Sequence, residues 1–103
     1  MLDHIPVVAG LAYAERVRRL PSRFTATLAA EPDNRFNLKA VAVLVDGDKV
    51  GYLPPELSRH YFDALKGGVP AECPGRHAPV AEQRDTGVML LLDFTSLPIQ
   101  PEE

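Results

Sequence analysis

The chain has a single cysteine, Cys73, so an internal disulfide is excluded and nothing marks an oxidising compartment. It has no basic excess: 11 Lys and Arg stand against 14 Asp and Glu, a net charge of −3. That counts against a large surface that tracks phosphates through many cationic contacts. It leaves room for a small pocket that holds one nucleotide or a strand end by stacking. No apolar run approaches the ~18 residues of a membrane span, and "VMLLLDF" is only a short buried-strand candidate. The opening "MLDHIPVVAG" lacks a basic segment followed by a long apolar one, so no signal peptide is expected and a soluble, cytoplasmic protein is.

Catalytic signatures are missing as well. There is no Gly-x-x-x-x-Gly-Lys loop, and Ser22, Ser58 and Ser96 lie in no nucleophile elbow. Glu31 with Asp33 and Glu56 with Asp63 are carboxylate pairs by spacing alone, without a pocket to raise a pKa. Cys73 and His77, next to Glu72, fall short of the four ligands of structural zinc. Asp46 and Asp48 make a turn and not a calcium loop. No independent enzyme, metal or cofactor is expected.

What remains is a chain of 103 residues, 46% hydrophobic and 24% charged, which fits one globular domain with one core. "HIPVVAGLAY" (His4 to Tyr13) reads as a first strand, with Pro6 suiting an edge position or an early bulge. "ERVRRLPSR" places Arg16, Arg18, Arg19 and Arg23 together and reads as a solvated loop or hairpin. "RFTATLAAE" alternates with the period of two of a half-buried strand, closed by Pro32. In "PDNRFNLKA", Asp33 or Asn34 would cap one short helical turn. "AVAVLV" is the next strand, and the Asp46-Gly47 step signals a hairpin into "KVGYLP". Gly51 inside that strand marks a bulge or a close backbone approach. "PPELSRHYFDALKGG" reads as the one clear α-helix, with Leu57, Tyr61, Ala64 and Leu65 on its apolar face and Gly67 and Gly68 as its stop. "VPAECPG" and "TGVMLLLDF" supply further short strands, with the polar loop "RHAPVAEQRD" between them.

The expected fold is therefore mostly β: a small barrel of five to six strands, with one main helix after the fourth. Residues 1–95 form its single domain and residues 96–103 a flexible, acidic, proline-containing tail.

One constellation carries a function. Tyr13 at the end of the first strand, Phe36 and Asn37 in the overbuilt turn, and Tyr52 after Gly51 would converge on one rim of a small barrel. Aromatics with amides there suit one or two unpaired bases. The alternative is that Phe36 fills one end of the core with the tyrosines packed beside it.

"GLAY", "EPDNRFNLKAVAV" and "KVGYLPPEL", in that order and spacing, resemble a HIRAN domain over about residues 5 to 95. That family's middle segment typically runs Glu/Asp-Pro-x-Asn-Pro-Tyr-Asp-x-x-Ala, then a Val-rich strand, then Val-Gly-Tyr/His-Leu-Pro before a helix. The resemblance implies a modified OB-type barrel, found alone or beside other modules in bacteria and at the front of Swi/Snf-type helicase-like ATPases. It also implies capture of a single-stranded DNA 3′ end between aromatics, in the setting of DNA repair. By position it makes Tyr13 and Tyr52 stacking aromatics, puts Phe36 on the family's tyrosine, and puts Asn34 and Asn37 on its asparagine and aspartate. Arg35 replaces a proline, Phe36 loses a hydroxyl, Asn37 loses a charge, and Ala12 stands where the eukaryotic domain has an arginine for phosphate. Arg16, Arg18 and Arg35 are the candidates to meet phosphates instead. Two other readings are a protein-interaction barrel that has lost end binding and a targeting domain of a larger helicase- or nuclease-like protein.

Overall fold

The computed structural model describes residues 4–7, 13–67, 71–79, 81 and 90–93. Within them the chain runs β1 (His4–Val7), α1 (Ala14–Arg19), β2 (Arg23–Glu31), β3 (Ala40–Val45), β4 (Asp48–Tyr52), α2 (Pro55–Ser58), α3 (Phe62–Lys66), β5 (Glu72–His77) and β6 (Leu90–Asp93). The strands form one six-stranded sheet in the order β1-β6-β5-β2-β3-β4, all neighbours antiparallel. The sheet curls into a half-barrel, the mostly β fold that the strand patterns imply.

Alternation decides which side of the sheet is wet. Ala26 and Leu28 of β2 are buried, as are Val41, Val43 and Val45 of β3. With Cys73, Leu90, Leu92, Val7 and Val17 they make the inner face and the core. Arg23, Thr25, Thr27, Ala29 and Glu31 take the other parity and line the outer face. α3 packs against β2, α2 against β3 and α1 against β4. Burial of Phe62 and Tyr61 fills the concave side.

The hairpin follows its turn chemistry. Asp46 and Gly47 both have positive φ (52° and 84°), the backbone that an Asp-Gly pair accepts most readily. The ladder then slips between Val43 and Leu44, which pair with Gly51 and Lys49 and leave Val50 as the extra residue of a bulge. Pro6 does sit in an edge strand, the position in a sheet that tolerates a missing N–H.

Three local readings change. The arginine-rich segment is the helix α1 and not a loop or hairpin, and Val17 is the residue that anchors it in the core. Tyr13 accordingly precedes that helix at its N-cap instead of ending a strand; residues 8–12, Ala12 among them, lie outside the described residues. The expected single helix is divided into α2 and α3. Ser58, fully buried, turns its hydroxyl back onto the Pro55 carbonyl (3.3 Å), which competes with continuing the helix. The 96–103 tail and residues 80 and 82–85 of the expected 76–85 loop fall outside the described residues, while Arg76 and His77 belong to β5 and not to that loop.

Gly75 faces Phe24 across β2 and β5. A Cβ at this position would lie 2.4 Å from Phe24 Cε1 and 3.0 Å from Leu92 Cδ2. Gly75→Ala is expected to cost about 1–3 kcal/mol through overpacking. Most of that should return when Phe24→Leu is added, and urea titrations of the single and double variants measure the coupling.

Candidate nucleic-acid interface

The site grows from β3. Its outer-face residues at the rim are Ala40 and Ala42, which pair with Glu31 of β2 and Tyr52 of β4. Methyl groups leave the space above β3 empty, so long side chains from β2 and β4 meet over it although two strand spacings separate them, about 10 Å. Lys49 and Tyr52 are three positions apart, which in a regular strand sends side chains to opposite faces. The bulge at Val50 brings them to the same one.

The result is a hydrogen-bonded triad. The Lys49 ammonium is paired with Glu31 Oε2 and donates to the Tyr52 hydroxyl (2.9 Å). That hydroxyl donates to Glu31 Oε1 (2.9 Å), which also accepts from Asn34 Nδ2 (3.3 Å). Burial works against the Glu31 charge, yet hydrogen bonds from Lys49, Tyr52 and Asn34 hold its carboxyl below the ordinary 4.5. The same carboxylate raises Lys49 above its ordinary 10.5. For Tyr52 the Lys49 bond pulls the phenol down, but burial and the Glu31 charge outweigh it and the pKa rises. The triad fixes the Tyr52 ring, with the Lys49 ammonium 5.0 Å from its centroid and the Tyr13 ring edge-on at 6.4 Å.

The overbuilt turn is a second hydrogen-bonded unit. Asn34 Oδ1 accepts from the backbone N–H of Phe36 (2.9 Å) and of Asn37 (3.0 Å), an Asx-type clasp around the peptide between them. Asn37 Oδ1 accepts from the Lys39 N–H (3.0 Å), and its amide donates to the buried Ser58 hydroxyl (3.3 Å). Residues 32–39 form turns, and the expected helical turn is absent: Asn34 caps two amides without a helix following.

This clasp lifts Phe36 into solvent, where it is 97% exposed, so the reading of Phe36 as a core plug is wrong. A cleft of ≈ 230 Å³ opens beside it, lined by Asn34, Phe36, Asn37, Ala40, Tyr52, Leu53 and Pro55. Four residues singled out in the sequence, Asn34, Phe36, Asn37 and Tyr52, therefore share one cleft, and Tyr13 stands one ring behind Tyr52. The three arginines do not join that lining. Arg16 Nη1 donates to the Lys49 carbonyl (2.9 Å), Arg18 pairs with Glu15 (3.6 Å), and Arg35 is exposed on the turn.

Glu31 and Lys49 were missed as site residues, because only the bulge and the two alanines reveal their meeting. Among the described residues no group of His, Cys, Asp or Glu could hold a metal ion. Cys73 is buried, and burial together with the Asp93 charge pushes its thiol up to about 12, which leaves it unreactive. No helix among the described residues is long and apolar enough to cross a membrane.

Comparison with known proteins returns no match, whether to a family, a curated protein or a solved structure.

Proposed function

We propose that the chain is a non-enzymatic, HIRAN-type module that captures the 3′ end of single-stranded DNA by stacking a base beside Phe36 and Tyr52. The observation that carries this reading is a phenyl ring held almost fully in solvent by a hydrogen-bonded turn, over a small apolar cleft. Phe36 does not stand alone: with exposed Leu38 on the same turn and the cleft beside it, it forms a contiguous apolar surface of the kind that marks a binding site. At ≈ 230 Å³ the cleft is smaller than most sites for drug-sized ligands, which suits one base.

The proposal gives each residue a role. Tyr52, locked by Glu31 and Lys49, is the fixed wall, and Phe36 is the wall that faces incoming strand. Asn34 and Asn37 first build the turn; Asn34 Oδ1 uses both its lone pairs there and keeps one N–H, whereas Asn37 keeps one N–H and one lone pair and offers them to a terminal sugar hydroxyl. Arg35 on the turn meets the adjoining phosphate. The preference for a 3′ end rests on the resemblance of "EPDNRFNLKAVAV" and "KVGYLPPEL" to that family. A cytoplasmic setting, alone or as the targeting domain of a helicase- or nuclease-like protein, goes with this reading.

Fluorescence anisotropy with labelled oligonucleotides, their 3′ end free or phosphorylated, tests it. Tighter binding of the free end is expected, with log K against log salt sloping about −1 to −2 for a short strand. Equal weak binding of both ends sinks end capture, and no binding at micromolar protein sinks the strand-binding reading.

Leu38, 75% exposed on the same turn as Phe36, favours one other reading: an apolar loop that docks on a protein. Under that reading oligonucleotides leave Phe36 unperturbed in NMR spectra.

A further inference from the structure

A second feature of the outer face lies at the opposite end of β2. Arg23 and Arg76 face one another directly across β2 and β5. Like charges at such a position destabilise an antiparallel pair, and a sheet gains by placing an acid there instead. Among the described residues neither side chain makes a hydrogen bond or ion pair, whereas Arg18 and Arg19 both pair with Glu15. Both arginines line an open cleft of ≈ 300 Å³ shared with Phe24, Pro74, Gly75, Leu91 and Asp93. Asp93 supplies one acid to two bases, so the cleft is cationic.

Its position relates it to the aromatic cleft. Arg23 and Glu31 have the same parity on one unbroken strand, and the pairing of β2 shows no slip between them. Eight residues at ~3.3 Å each separate them by roughly 26 Å. Thr25, Thr27 and Ala29 pave that distance with small side chains. The span lies within the about 4–16 nucleotides that a small barrel covers.

We infer that Arg23 and Arg76 together hold a backbone phosphate of the same strand whose end lies in the Phe36–Tyr52 cleft, with the outer face of β2 as the path between. Two guanidinium-bearing side chains on paired residues of one cleft suit a phosphate, whose charge also offsets their like-charge repulsion. The inference rests on the strand-binding reading and extends it from an end to a footprint.

Anisotropy with a 3-mer and a 10-mer of the same composition tests it on wild type and on the double variant Arg23→Gln, Arg76→Gln. Wild type is expected to bind the 10-mer at least ~10-fold more tightly than the 3-mer. The double variant should bring the 10-mer down to 3-mer affinity, leave the 3-mer unchanged, and lower the 10-mer's salt slope by about 1. Equal wild-type affinity for both lengths overturns the footprint while end capture stands. Parallel weakening of both lengths also overturns it, since the arginines would then act by general charge. Failure of wild type to bind either length removes the strand-binding reading and the footprint with it. The double variant should melt no lower than wild type, because it relieves a like-charge pair. Arg23→Gln alone, at an exposed position, replaces it if the double variant does not fold.

Discussion

Phe36→Ala should leave the melting temperature within about one or two degrees of wild type while weakening oligonucleotide binding by roughly 5- to 150-fold. The first expectation follows from exposure: a ring that is 97% in solvent contributes little to packing, and surface truncations generally stay within about 0.5 kcal/mol. The Asn34 clasp is made to backbone N–H groups, which alanine keeps. The second follows from stacking, worth about 1–3 kcal/mol per base when an aromatic is cut to alanine. Thermal melts and anisotropy on the same preparation separate the two. A Phe36→Ala protein that unfolds would contradict the exposed position, and one that binds as wild type would remove Phe36 from the interface.

Glu31→Ala should be the most damaging single change at the site, costing about 2 kcal/mol. It strips one acceptor from three donors, Lys49, Tyr52 and Asn34, and leaves an ammonium with a third of its surface or less exposed and no counter-charge. Solvent reaches the pair, so the figure is below that for a fully buried one. Glu31→Gln separates charge from shape, and pH reads the difference. Glu31 has a folded pKa below 4.5, so its stabilisation is present above about pH 4.5 and is lost as pH falls through the folded value. Lys49 is raised above 10.5, so its share is present below about pH 10.5 and is lost as pH rises through the folded value. The gap in melting temperature between wild type and Glu31→Gln should be flat between those limits and close on acidification. A gap that persists undiminished at pH 2.5 would show that charge is not what Glu31 contributes.

Much of the scaffold was legible in the sequence because it rests on local rules. The alternation of "RFTATLAAE", the Asp46-Gly47 turn and the Gly51 bulge each follow from one residue's backbone freedom or one period. α1 was not legible. Its six residues bury only Val17, it has no side-chain cap, and a single apolar residue carries no period. The break between α2 and α3 depends on Ser58 being buried, a tertiary fact. In the site, Asn34, Phe36 and Tyr52 stood out because a turn needs fewer polar residues and no aromatic. The triad did not, since Glu31 reaches Lys49 only across a third strand whose alanines let it pass.

The hydrogen bond from Arg16 to the Lys49 carbonyl bears on self-association. A half-barrel keeps two raw edges, and an edge with free backbone groups is a template on which another chain can pair. At one edge β1 has only four residues and carries Pro6, which blunts it. At the other, α1 lies along β4 and Arg16 occupies a backbone acceptor that an incoming strand would use. The short arginine-rich helix thus guards a border: among the described residues it occupies one backbone acceptor of the edge beside the aromatic cleft, which works against extension of that edge by a second copy.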